Sequence, residues 1–214
     1  MADYTFQNKI AVVTGGSEGI GFGIANTIAS QGSLVYLIAR NPENLEKAKS
    51  RIEKNGGKAE IKPADITKFE QIRDVIDSVY QKHNRLDIFV NNAGTWKGQN
   101  LDTQFEEIWK LIELDMKAPY QIAHYLTQKF KSLQNKEIKI LTVASQAAVK
   151  VFELGLGYGP AKMGLVSALH HLKKQMQAEK VSNIHLYNLY PNTVATEKMI
   201  EAIKSGNVQD PVSL

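Results

Sequence analysis

The chain has 214 residues, no cysteine, a formal charge of +4, and ordinary apolar and charged fractions of 43% and 22%. That length supports one sizeable core, and the lack of thiols excludes a disulfide scaffold, a cysteine nucleophile and a Cys-ligated metal. The excess lysine is spread along the chain, which argues against a nucleic-acid surface and for solvated helix faces.

The stretch 1–9 contains no apolar run of signal-peptide length. The first β-rich apolar run is Ile10–Thr14, followed by a glycine-rich loop and a helical pattern over Ile20–Gln31 that Gly32 ends. Leu34–Ala39 is the second strand, too short to span a bilayer. Asn41 and Pro42 then supply an N-cap and a first helical residue for a helix that runs to Lys54 and stops at Asn55-Gly56-Gly57. A strand at Ala59–Ile61, a helix at Phe69–Lys82 and a strand at Leu86–Val90 follow. A long helix is predicted over Thr103–Ser132, a strand over Ile138–Ala144, a helix over Tyr158–Glu179 and a strand over Ile184–Tyr190.

Strands alternating with helices at this spacing predict an α/β fold with a parallel sheet, right-handed crossovers and helices on both faces. No repeat, linker or low-complexity tract interrupts it, so residues 1–214 read as a single soluble domain, cytoplasmic in type.

The loop Thr14-Gly15-Gly16-Ser17-Glu18-Gly19-Ile20-Gly21 joins a strand to a helix. Gly15 suits a backbone closed to other residues. Gly19 and Gly21 allow close approach to a pyrophosphate, and the helix from Ile20 offers free N–H groups and a positive dipole end. Chance occurrence of this pattern is roughly a few in a thousand for this composition. The second strand ends Ile38-Ala39-Arg40, without the acid that would hold a ribose 2′-hydroxyl and repel a 2′-phosphate. Arg40 suits that phosphate, so NADP(H) is the expected cofactor, with NAD(H) the second choice.

Two Tyr-x-x-x-Lys pairs occur, Tyr125/Lys129 and Tyr158/Lys162, where about one is expected by chance. Residues four apart share a helix face, and a lysine cation lowers a phenol's pKa towards neutral pH. Only Tyr158 follows a hydroxyl, Ser145, just past the carboxyl end of a strand, the edge where open α/β sheets bind ligands. Ser145 would donate to a substrate carbonyl as charge develops there. His170-His171 come with no third metal-ligand pattern, so no metal is expected.

Together with Asp65-Ile66, Asn91-Asn92-Ala93-Gly94 and Pro191–Thr196, these motifs resemble the short-chain dehydrogenase/reductase family over about Asn8–Met199. The resemblance implies a three-layer, doubly wound Rossmann sheet of six or seven strands. It places Gly15, Ser17, Gly19, Ile20 and Gly21 at the phosphates, Arg40 and Asp65 with Ile66 at the adenosine, and Asn91 and Gly94 beside its ribose. Val194 and Thr196 would contact the nicotinamide side. Ser145, Tyr158 and Lys162 would be catalytic, and Tyr158 and Lys162 would also hold the cofactor. A carbonyl or secondary-alcohol substrate would lie among Thr95-Trp96-Lys97, the stretch 147–157 and the segment after Thr196, in a pocket made apolar by Phe152, Leu154, Leu156 and Met199. Long helices in the family pair across a two-fold axis, implying a homodimer or homotetramer.

The chain departs from the family pattern in several places. Asp115 stands where relatives carry asparagine, which changes the expected proton relay near Lys162. Glu18 stands where NADP-binding relatives often place a basic residue. Asn192 replaces a glycine, and the family's last helix and strand are expected to be missing. The alternative function is a dinucleotide-binding protein with little or no turnover, such as a redox sensor or a partner subunit.

Overall fold

A computed structural model describes residues 6–133, 135–192 and 194–204. The expected short C-terminus (205–214) and the side chain of Met199 lie outside the described residues. In chain order the elements are β1 (Ile10–Thr14), α1 (Gly19–Ser30), β2 (Leu34–Ala39), α2 (Pro42–Lys54), β3 (Lys58–Pro63), α3 (Phe69–His83), β4 (Ile88–Asn91), α4 (Phe105–Ile112), α5 (Ala118–Lys131), β5 (Ile138–Val143), α6 (Tyr158–Ala178), β6 (Ile184–Leu189) and α7 (Glu197–Lys204). A π-helical turn, Glu113–Lys117, joins α4 to α5, and a short 3₁₀ turn, Gln146–Ala148, follows β5.

The strands form one six-stranded sheet in the order β3-β2-β1-β4-β5-β6, with every pairing parallel. Alternating side chains of the buried strands feed two cores. Ile10, Val12, Tyr36 and Phe89 pack with residues of α3, α5 and α6, such as Ile76, Ile122 and Leu165. Ala11, Val13, Leu37 and Val90 pack with Ala25, Leu45 and Ile52 of α1 and α2. Past α1, an apolar cleft of about 880 Å³ lies over the β4–β6 side of this second face, lined by Ile24, Val90, Leu141, Tyr187 and Leu189 among others. It contains neither Ser145 nor Tyr158.

Local chemistry explains the ends of the elements. The Asn41 side chain accepts the Asn44 N–H at 3.1 Å, with Pro42 in the first turn of α2. Gly56, at φ +80°, closes that helix.

The long helix predicted over Thr103–Ser132 is interrupted. Pro119 has no N–H to give the carbonyl of Asp115, so the ladder cannot continue there. The Ala118 N–H instead reaches back five residues to the Glu113 carbonyl, and the turn widens. Among the described residues no helix is long and apolar enough to cross a membrane.

Phe130 on α5 is fully buried and meets Tyr80 edge-on, with ring centroids 5.8 Å apart. Phe130→Ala should therefore lower unfolding free energy by about 3–5 kcal/mol, measured by urea denaturation.

Candidate active site

The strand order reverses between β1 and β4, so the loops leaving their carboxyl ends part and open a crevice. One side chain holds the crevice together. Thr14, at the end of β1, is 1% exposed. Its hydroxyl donates to the Val90 carbonyl at 3.1 Å and accepts the N–H groups of Asn92 at 3.0 Å and Ala93 at 3.1 Å. Asn92 reciprocates, its amide donating to the carbonyls of Thr14 at 3.0 Å and Gly15 at 3.2 Å. Sequence reasoning missed both roles, because each bond joins residues 76–79 positions apart.

This tie sets the glycine requirement. Gly15 has φ +63° and Gly19 φ +56°, both left-handed. A Cβ on Gly21 would lie 2.2 Å from the Gly15 carbonyl oxygen and 2.3 Å from Asn92 Nδ2, so Gly21 is needed for the helix to pack on its own loop. Ser17 and Ile20 lie in the same turn, the side chain of the N-cap residue Glu18 does not cap α1, and the first turn carries no acid. A Cβ on Gly19 would stand 3.5 Å from the methyl of Thr196, which puts the Val194–Thr196 segment beside the loop.

The other predicted cofactor residues spread along the same rim. Arg40 follows β2, is exposed, and makes no ion pair among the described residues. Asp65 accepts the N–H and the hydroxyl of Thr67 at 2.9 and 2.8 Å, so its carboxylate caps the turn before α3. Ile66 is 6% exposed, and its side chain packs into the core beneath α3. Asn91 is buried, donates its amide to the Pro119 carbonyl at 3.1 Å, and leaves its oxygen with no partner among the described residues.

Ser145 ends β5. Its oxygen accepts the Ala147 N–H at 3.1 Å, which leaves the hydroxyl proton available for another acceptor. The turn is fixed to the exit of β6 by the Gln146 N–H bond to the Pro191 carbonyl, at 3.1 Å. α6 packs against this turn and opens with Tyr158. Lys162, 5% exposed, places its ammonium over the Tyr158 ring, 5.4 Å from the centroid.

The same ammonium lies 2.9 Å from Asp115 Oδ1. Asp115 is fully buried, and its Oδ2 accepts the Thr95 N–H at 3.1 Å. The contact with Lys162 is one of charge and not an aligned hydrogen bond, since Oδ1 has no hydrogen-bond partner. Burial pushes the Asp115 carboxyl above its usual range, against the pull of the Lys162 cation and the Thr95 N–H. A Cβ on Gly94 would lie 2.3 Å from Asp115 Oδ1, so only glycine leaves room for the carboxylate.

The second Tyr/Lys pair is engaged elsewhere. Tyr125 donates to Asp77 at 2.5 Å, and Lys129 contacts the same oxygen at 2.8 Å. Burial, then the Asp77 carboxylate, pushes the Tyr125 phenol up, the opposite of what an acid catalyst needs.

Two loops form the outer wall. Gln99, 1% exposed, donates its N–H to the Leu154 carbonyl at 2.8 Å and accepts the Gly157 N–H on its side chain at 2.8 Å. This buried link, also missed from sequence, joins the loop after β4 to the start of α6. Trp96, Phe152, Leu154 and Leu156 are 41–52% exposed on the joined loops. Lys97, in the same loop, is paired with Glu107 at 2.7 Å.

Comparison with known proteins places this arrangement. A family model described as short chain dehydrogenase matches residues 9–206. An uncharacterized oxidoreductase of Listeria monocytogenes is 28% identical over 93% of this chain and 79% of its own length. Sorbose reductase of Candida albicans is 29% identical over 91% of this chain and 69% of its own. Among solved structures, a metagenomic short-chain oxidoreductase in complex with NADP is similar at TM-score 0.78 and 28% identity, covering 89% of this chain and 85% of that one. A 7α-hydroxysteroid dehydrogenase complexed with NADH and 7-oxo glycochenodeoxycholic acid is similar at TM-score 0.81 and 25% identity, over 97% and 77%.

The Thr14 hydroxyl satisfies two N–H groups that would otherwise be unpaired at the crevice. Thr14→Val should cost about 2–4 kcal/mol of stability in chemical denaturation, and Thr14→Ser should recover most of it.

Proposed function

The chain belongs to the short-chain dehydrogenase family, and on that premise we propose that it is an oxidoreductase moving a hydride between NADP(H) and a carbonyl or secondary-alcohol substrate, with Tyr158 as acid and base. The observation that carries this reading is the Lys162 ammonium over the Tyr158 ring, at the rim that also holds Ser145 and the glycine loop.

The residues present fit a dinucleotide. The left-handed glycines and the start of α1, which the Glu18 side chain does not cap, suit a pyrophosphate. Asn91, buried at the carboxyl end of β4, would flank the ribose. Arg40, exposed and without an ion pair among the described residues, suits a 2′-phosphate. Gly15, Ser17, Gly19, Ile20 and Gly21 would face the phosphates, Asp65 and Ile66 the adenine, Gly94 the ribose, and Val194 and Thr196 the nicotinamide side. When bound, the dinucleotide supplies the hydride. Ser145 donates a hydrogen bond from its hydroxyl to the substrate oxygen and keeps its proton. Tyr158 gives that oxygen a proton in reduction and takes one in oxidation, with the Lys162 cation favouring the phenolate.

The loop wall favours a substrate with an apolar body. Trp96, Phe152, Leu154 and Leu156 offer carbon surface, and the nearby lysine charge is already paired. Assembly as a homodimer or homotetramer belongs to the same reading.

A panel of ketones and alcohols with NADPH and NADH tests it. Turnover is expected with NADPH and apolar ketones, and weaker turnover with sugars. Tyr158→Phe should lower kcat by at least about a hundredfold, while Tyr125→Phe should leave it unchanged. No turnover across the panel would favour the binding-only alternative.

Arg40→Ala should weaken NADPH binding by about tenfold in fluorescence titration, with NADH unaffected. A clear preference of the unaltered protein for NADH would overturn the cofactor assignment.

A further inference from the structure

We propose that Asp115 is a positioning residue that, as a carboxylate, holds the Lys162 ammonium and offsets part of its charge, so that Tyr158 ionises at higher pH than a neutral residue at 115 would allow. The proposal rests on Tyr158 being the acid–base of the reaction.

The geometry is specific to this pair. Asp115 lies on the core-facing stripe that continues from Leu111 to Ala118 and Ile122, a stripe otherwise apolar. A buried carboxylate is costly unless a cation meets it, and Lys162 does so at 2.9 Å. The Thr95 N–H fixes the other oxygen, and Gly94 leaves the space. Lys162 of α6 is therefore shared by two ionisable groups, Asp115 from the π-helical turn at 2.9 Å and the Tyr158 ring at 5.4 Å to its centroid. Of the charges on the adjoining segments, Glu113 is paired with Lys117 on the same turn and Lys97 of the loop after β4 with Glu107 of α4, while Lys150 and Glu153, on the segment before α6, are exposed. The loop's own contribution is the neutral Thr95 N–H, and the turn after β5 contributes the neutral Ser145.

The sign follows from charge. Lysine's cation stabilises the phenolate, and an anion paired with that cation opposes it. Replacing Asp115 with asparagine removes the anion and keeps the shape and an acceptor for Thr95.

The test titrates Tyr158 in the cofactor-free protein by phenolate absorbance, as the difference between a protein and its Tyr158→Phe version. In an Asp115→Asn background the midpoint should fall by about one pH unit. The acid limb of the pH–rate profile for alcohol oxidation should move the same way. An unmoved or raised midpoint overturns the proposal. Because the titration needs neither cofactor nor turnover, its result is separate from whether the catalytic reading holds. If Asp115→Asn does not fold, ¹³C-carboxyl NMR of the unaltered protein decides. A buried aspartate carboxylate still ionised at neutral pH supports the proposal, and a protonated one overturns it.

Discussion

The Thr14 hydroxyl holds the crevice together. Two parallel strands that lie side by side must separate where their loops leave in opposite directions, and the backbone N–H groups there lose their ladder partners. Thr14 gives Asn92 and Ala93 an acceptor and binds the Val90 carbonyl, while the Asn92 amide returns to the glycine loop. With β1 and β4 so fixed, Gly15 and Gly21 close on each other, and the start of α1 acquires its direction. The loop after Asn92 then runs past Asp115 and Gln99 to the beginning of α6. The positions of Tyr158 and Lys162 thus depend on contacts made well away from their own helix.

Much of this was legible in the sequence, for physical reasons that differ by element. β1 and β2 read clearly because they are buried on both faces and so carry near-continuous apolar runs, and they match their predicted spans; β5 and β6 each stop one residue early. β3 extends further than Ala59–Ile61, since ladder bonds to β2 recruit Lys58, Lys62 and Pro63, whose side chains give no β signal. The continuous helix over 103–132 failed at Pro119, where a missing N–H outweighs helical periodicity. Thr14, Asn92 and Gln99 were illegible as structural ties because their partners are distant in sequence.

The candidate site divides in the same way. Strand-end position favoured Tyr158 over Tyr125, and in the structure Asp77 engages both the Tyr125 phenol and Lys129. Asp65 and Ile66 show what the fold adds to motif reading: Asp65 Oδ1 also holds Thr67, and the Ile66 side chain packs into the core. Asp115 was legible as a departure from the family's asparagine near Lys162, but the 2.9 Å contact and the room made by Gly94 depend on chain segments far apart in sequence.

The widened turn at Glu113–Lys117 acts as a phase adjuster between two helices. A helix that accommodates one surplus residue rotates everything after it relative to everything before it. Here α4 and α5 can each aim their own faces, with Asp115 at the joint. Shortening the turn by a single residue would swing Ile122, Leu126 and Phe130 by about a quarter of a circle, or else drag the carboxylate off its lysine. Neither helix could drift in length without disturbing the chemistry beside it, so the spacing from Leu111 to Ile122 is under tighter constraint than the identity of any one apolar residue within it.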